Sequence, residues 1–154
     1  MGDTIRLFAT ERIDMERTKA NFMYMREASG ITQSQAAEAL GVSNDTLRKW
    51  EKPSGSEPPE DAWAYIEEAY ETHIWAVDSA VEAFLDANDE YGTERASFTY
   101  YRNQTQYDRM GRDIGYFTRA NANARAAAER ILAMGFEVEF RYPENAIRTP
   151  GSRY

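Results

Sequence analysis

Residues 32–52, TQSQAAEALGVSNDTLRKWEK, constrain the fold of this chain more than any other stretch. Ala36, Ala37 and Leu40 recur at helical spacing, Gly41 follows as a stop, and Ser43 stands where a new helix needs an N-cap. The pattern predicts two short helices meeting at a sharp angle across Gly41-Val42. In the second helix Leu47 and Trp50 lie three residues apart on one face, leaving Asn44, Asp45, Arg48 and Lys49 on the other. Upstream, residues 15–29, MERTKANFMYMREAS, lack glycine and proline and predict a preceding helix carrying Phe22 and Met25. Gly30 ends it, Ile31 supplies an apolar residue before the next cap, and Thr32 caps the second helix. Three helices in series result.

Residues 53–59, PSGSEPP, are the one stretch dense in turn formers, and residues 54–59 are read as a linker. Beyond it the character changes. Residues 60–86 contain neither glycine nor proline, and Pro59 suits the first turn of a long helix. Its large apolar residues, Trp63, Ile66, Tyr70, Ile74, Val77, Val81 and Phe84, span residues 63 to 84 in six steps, an average of 3.5 residues, the coiled-coil period. Two readings stand: a helix packed on its own domain, or one that also pairs with a twofold mate. Residues 88–95 read as a loop, SFTYY at 97–101 as a short strand, and residues 102–113 as either loop or a turn of helix. From Gly115 to Met134, Phe117, Ala120, Ala124, Ala127 and Ile131 make an apolar, alanine-rich stripe that lets another helix approach closely. FEVEFRY, at 136–142, alternates like a half-exposed strand.

The predicted fold class is mainly α with a small α+β part. Residues 1–14 are a leader, 15–53 a three-helix core completed by the following helix, 60–142 a second unit of long helix and strand-helix-strand, and 143–154 a loose tail. Within the second unit, Ile74, Val77, Val81, Phe84, Tyr100, Phe117, Ala120, Ala124, Ala127 and Ile131 are candidates for contact with a second copy.

The chain has no cysteine, so disulfides and thiolate chemistry are excluded. His73, the sole histidine, has no Cys or His neighbour with which to hold a metal. Glu67, Glu68 and Glu71 read as a solvated face. No nucleophile-base pair, metal spacing or glycine-rich phosphate loop appears, so neither an enzyme nor a cofactor is expected. The first residues lack an apolar run of signal length and no stretch suits a membrane span, which makes the cytoplasm the expected location.

The net charge of −8 at first argues against nucleic acid. Its distribution reverses that: residues 1–53 carry 8 basic and 8 acidic groups, residues 54–95 carry 1 and 12, and residues 96–154 carry 9 and 6. The acidic excess sits in the middle segment, which can lie farther from DNA than the roughly 8 Å physiological Debye length. Meanwhile Arg48 and Lys49 suit guanine O6 and N7, Asn44 suits adenine, and Asp45 can accept from cytosine N4. Asp45 would also repel a nearby phosphate, which serves exclusion. Thr32, Gln33, Ser43 and Thr46, at two helix N-termini, are candidates for backbone phosphate contacts. Double-stranded DNA and a second copy of the chain are therefore the expected partners. Tyr100, Tyr101, Arg102 and Asn103 mix aromatic rings with polar donors, which suits either packing or single-stranded RNA. A partner protein, in the manner of an antitoxin-like adaptor, is the alternative class.

The segment from Arg26 to Glu51 resembles the phage-repressor, or Xre and Cro/C1, class of helix-turn-helix: Arg26, Gly30-Ile31-Thr32-Gln33, Ala37, Leu40-Gly41-Val42-Ser43, Thr46-Leu47 and Trp50-Glu51 carry the resemblance. It implies Gln33 touching phosphate, the helix of Ser43 to Lys49 in the major groove, and Arg26 paired with Glu51. Pro53 departs from it where glycine is usual, and Ala36 where a larger aliphatic residue is usual. Over residues 23–140 the order of VS, WE, PPEDAWAYI, FTYYRN and DIGYFTRANANARAAAERILAMGFEVEF is similar to anti-CRISPR-associated autorepressors. That similarity implies a C-terminal dimerisation domain and a homodimeric autorepressor of a phage or mobile-element operon.

Overall fold

The computed structural model describes residues 14–110, 113 and 115–143. The expectations for residues 1–13 and 144–154 lie outside the described residues. The fold is mainly helical with a small two-stranded sheet. The helices are α1 (Lys19–Ala28), α2 (Gln33–Leu40), α3 (Asn44–Glu51), α4 (Glu60–Tyr91), α5 (Gln104–Arg109) and α6 (Phe117–Ala133); the strands are β1 (Arg95–Thr99) and β2 (Glu137–Arg141). The chain divides into two units between Ala76 and Val77, inside α4.

In the first unit α1 starts four residues later than its glycine-free run, because Thr18 is extended and its hydroxyl accepts from the Asn21 N–H at 3.0 Å. Thr32 and Gln35 form a reciprocal capping box at the start of α2, each side chain bonding the other's backbone N–H at 3.0 Å. Gly41 ends α2 at φ +68°, and the Val42 N–H reaches back to the Ala37 carbonyl at 3.0 Å. The Ser43 hydroxyl then accepts from the Thr46 N–H at 3.1 Å and starts α3. A Cβ at residue 41 would meet nothing within 4 Å. Gly41→Ala is therefore expected to lose about 1–2 kcal/mol from left-handed backbone strain alone, read as a lower midpoint in urea; an unchanged midpoint would remove the turn's special requirement.

The core of this unit gathers Phe22 and Met25 of α1, Ala36 and Ala37 of α2, Leu47 and Trp50 of α3, and Trp63, Ile66 and Tyr70 of α4. Phe22 sits at its centre, with its ring edge-on to Trp50 at 6.3 Å and to Trp63 at 5.3 Å. Arg17 bridges Glu60 and Glu67 of α4 and lies over the Trp63 ring at 5.5 Å, so Glu67 is not simply a solvated acid.

The second unit uses the rest of α4. Val77, Val81 and Phe84 pack with Ala96 of β1 and with Ala127 and Ile131 of α6, and the Phe84 ring stands edge-on to Phe136 at 4.9 Å. The 3.5-residue stripe thus serves two cores in series within one chain. Val77, Val81, Phe84, Ala127 and Ile131, offered as candidates for contact with a second copy, are 0–8% exposed and already pack inside this unit. Ala124 is likewise 8% exposed, while Ile74 packs half-buried against the first core. Tyr100, Phe117 and Ala120 remain partly exposed. The helix continues past the expected loop at residue 88, because nothing breaks it before Gly92 at φ +69°.

β1 and β2 pair in parallel, with Arg95 opposite Glu137 and Thr99 opposite Arg141; α5 and α6 form the crossover. β1 lies two residues earlier than SFTYY suggests. Just past its end, the Asn121 side chain of α6 takes both the N–H and the carbonyl of Tyr101, at 3.0 and 2.8 Å, on the side of the chain that faces away from β2. The undecided stretch after Tyr101 is α5, capped by Asn103 accepting from the Gln106 N–H at 2.8 Å. Arg130 of α6 pairs with the buried Asp78 of α4. Among the described residues, no helix is long and apolar enough to cross a membrane.

Candidate nucleic-acid interface

α3 is amphipathic by placement as well as by sequence. Leu47 and Trp50 are 0% and 5% exposed, and they fix the helix to the core so that Asn44, Asp45, Arg48 and Lys49 all face solvent. The structure therefore brings the four expected base-reading side chains onto one outward surface. Each differs in its readiness. Asn44 donates to the Ser34 hydroxyl of α2 at 3.2 Å, which aligns its amide with the preceding helix. Arg48 is paired with Asp45 one turn earlier, an exposed pair of low strength. The Lys49 ammonium has no hydrogen-bond or ion-pair partner among the described residues.

The angle between α1 and α3 is held from below by a buried ion pair. Arg26, at the end of α1, donates to both oxygens of Glu51, the last residue of α3, at 2.6 and 3.0 Å. Its third nitrogen reaches the Ile31 carbonyl at 2.9 Å. The side chains of Arg26 and Glu51 are only 8% and 4% exposed, so this pair is shielded from the salt screening that weakens exposed pairs. Bidentate geometry and the extra carbonyl satisfy the guanidinium on all sides.

Gln33 does something the sequence did not suggest. Its amide donates to Glu51 Oε1 at 3.0 Å, so the side chain joins the Arg26–Glu51 cluster instead of reaching outward. Glu51 is a stronger acceptor than solvent because its charge is buried. What remains at the start of α2 are the backbone N–H groups of Gln33 and Ser34, which lie between the two residues of the capping box and have no intrahelical carbonyl to meet. The hydroxyls of Thr32 and Ser43 serve as caps, and Thr46 accepts from the Ser43 hydroxyl at 3.1 Å. These three contribute to the surface mainly by presenting helix N-termini.

Two supporting residues went unnoticed in the sequence. Lys19 of α1 donates to the Lys49 carbonyl at 3.1 Å and to the Ser56 carbonyl, tying α1, the C-terminus of α3 and the following segment together. Gly55 lies so close to α3 that a Cβ there would come 2.0 Å from the Lys49 carbonyl oxygen. Residues 53–59 are thus a packed turn and not an open tether. The only local signal was Gly55 itself among turn formers.

Other candidate chemistry lies elsewhere. His73 is 5% exposed and stacks on Tyr70 at 6.1 Å. Tyr101 is buried edge-on to Tyr107 at 4.7 Å, and Asn103 caps α5, so neither is presented for stacking on a base. In the second unit Gln104, Asp108, Asp113, Gly115 and Tyr116 line a shallow concavity. The Tyr107 hydroxyl, with the Gly115 N–H, holds the Asp113 carboxyl below the usual range. A concavity carrying that ionised acid repels phosphate.

Residues 22–74 match a family model described as Helix-turn-helix. No curated protein matches the chain. The matched segment holds the whole first core and stops two residues short of the division inside α4. The match supports a DNA-binding transcriptional regulator.

Proposed function

We propose that this chain is a sequence-specific transcriptional repressor that binds a palindromic operator as a homodimer. The observation that carries the reading is the outward face of α3, where Asn44, Asp45, Arg48 and Lys49 stand together above the buried pair Leu47 and Trp50. In the major groove, Lys49 and Arg48 address guanine and Asn44 adenine. The N–H groups of Gln33 and Ser34 address a phosphate at the groove edge. The similarity of residues 23–140 to autorepressors of mobile elements supports its own operon as the target.

One such helix makes few base contacts, whereas two related by a twofold axis reach specific affinities of about 10⁻⁸–10⁻¹¹ M. Selection of bound duplexes from a random pool by the full chain tests the reading. A consensus with twofold symmetry is expected; no enrichment above the starting pool would overturn it.

Asp45 has a distinct part. On unrelated DNA its carboxylate faces phosphate and keeps Arg48 paired within the helix; on the operator, Arg48 exchanges that partner for a base. Asp45→Asn is expected to narrow the preference for the consensus over a scrambled duplex by about 1–3 kcal/mol, chiefly by tighter binding to the scrambled one. Competition titration reads this directly, and an undiminished preference would remove Asp45 from specificity.

A further inference from the structure

β2 lies at an edge of its sheet, and among the described residues no strand pairs with its outer side. The Glu137 N–H bonds to the Glu94 carbonyl at 3.2 Å, and the Tyr100 N–H bonds to the Arg141 carbonyl at 2.8 Å. Odd-numbered residues of β2 therefore turn their peptide groups toward β1, and by alternation Val138 and Phe140 turn theirs to the open side. No partner for these groups occurs among the described residues. An unprotected edge is a template for another strand, and a sheet of two short strands gains most from added ones. The side chains agree: Phe140 rests on Phe98 at 6.0 Å and Tyr100 at 5.4 Å, yet it and Tyr142 are each 46% exposed at this edge.

We propose that a second copy of this chain docks here, β2 against β2 in antiparallel fashion, making a four-stranded sheet in the order β1-β2-β2-β1. This rests on the homodimer reading above and names its surface. Charge selects the register. Hydrogen bonding confines the pairing to registers in which even-numbered residues oppose even-numbered ones. Centring the twofold axis on Val138 sets Glu137 against Glu139, centring it on Glu139 sets that residue against itself, and centring it on Arg141 does the same to the arginine. An axis at Glu139 also sets Glu137 against Arg141, but only an axis at Phe140 sets unlike charges together with no like charges opposed. There Phe140 meets Phe140 of the second copy, Val138 meets Tyr142, and Glu139 meets Arg141 twice. Glu139 and Arg141 sit on the solvent face, 33% and 50% exposed, where they already lie 3.2 Å apart within one chain. The two Phe140 rings fall on the helix-covered face and fill the space between the two cores.

The test uses the full chain and sedimentation at micromolar concentration. Glu139→Arg and Arg141→Glu are each expected to weaken the dimer by at least about tenfold. An equimolar mixture of the two variants is expected to recover the dimer as a heterodimer, since each unlike pair is then restored across the interface; a role confined to one chain would not respond to mixing. The absence of cysteine allows a second readout. Phe140→Cys should form an intermolecular disulfide, because directly opposed hydrogen-bonded residues have Cα atoms about 5.5 Å apart. Glu139→Cys should not, since its copies stand roughly 8 Å apart. Variants that keep wild-type dimer affinity without cross-linking at residue 140 would overturn the edge pairing and leave the dimer intact. A wild-type monomer at tens of micromolar would overturn both.

Discussion

Arg26→Ala is expected to lower the stability of the first unit by about 3–5 kcal/mol. The substitution leaves the Glu51 carboxylate, 4% exposed, with only the Gln33 amide as a partner. It also strips the Ile31 carbonyl of its guanidinium donor. Removing one member of a buried pair is costly because the other charge stays desolvated, which is a larger penalty than the loss of a favourable contact. Arg26→Met combined with Glu51→Leu removes both charges and should therefore lose less than either single change. Trp50, Trp63 and Trp75 all belong to the first unit, so tryptophan fluorescence during urea unfolding follows this unit by itself. A loss under about 1 kcal/mol for Arg26→Ala would place the pair with exposed salt bridges and remove it as the clamp between α1 and α3.

Phe22→Ala should have a comparable effect, about 3–5 kcal/mol, through cavity formation and not charge. Phe22 is 0% exposed and is the ring on which both Trp50 of α3 and Trp63 of α4 rest edge-on. Truncation removes the aromatic contacts and opens a void between three helices that cannot all move inward together. Because Trp50 is one of the two anchors of α3, DNA affinity should fall with the folded fraction and recover on cooling. Thermal unfolding followed by fluorescence measures the first part; a midpoint unchanged from wild type would show that α3 is held by other means.

The two effects also mark what was legible in the sequence. The turn between α2 and α3 was readable because its causes are local: Gly41 at positive φ, the Thr32–Gln35 box and the Ser43 cap act within four residues. Leu47 and Trp50 as inward residues followed from helical period alone. The Gln33 contact with Glu51 was not readable, since eighteen residues separate the partners and nothing local distinguishes that rotamer from one aimed at solvent. The stripe on α4 was visible, but a 3.5-residue period says only that one face is covered. Whether the cover is a second copy or two successive cores of the same chain depends on α1, α3, α6 and β1. Likewise FEVEFRY announced a strand, while its parallel partner lies 42 residues earlier along the chain. Asn121, which holds both peptide groups of Tyr101 just past β1, looked like one polar residue among several in α6.

The central proposal is that the outward face of α3 reads bases. The most direct test repeats the selection from random duplexes with Lys49→Ala beside the wild-type chain. Lys49 is exposed, and its backbone carbonyl, the part that Lys19 grips, is untouched by the change. The wild type is expected to yield a twofold-symmetric consensus. Lys49→Ala should yield the same consensus with base preference lost at one symmetry-related pair of positions, a discrimination of about 1–3 kcal/mol. An identical consensus from both chains, or a uniform loss of affinity with every preference intact, would contradict base reading by this face.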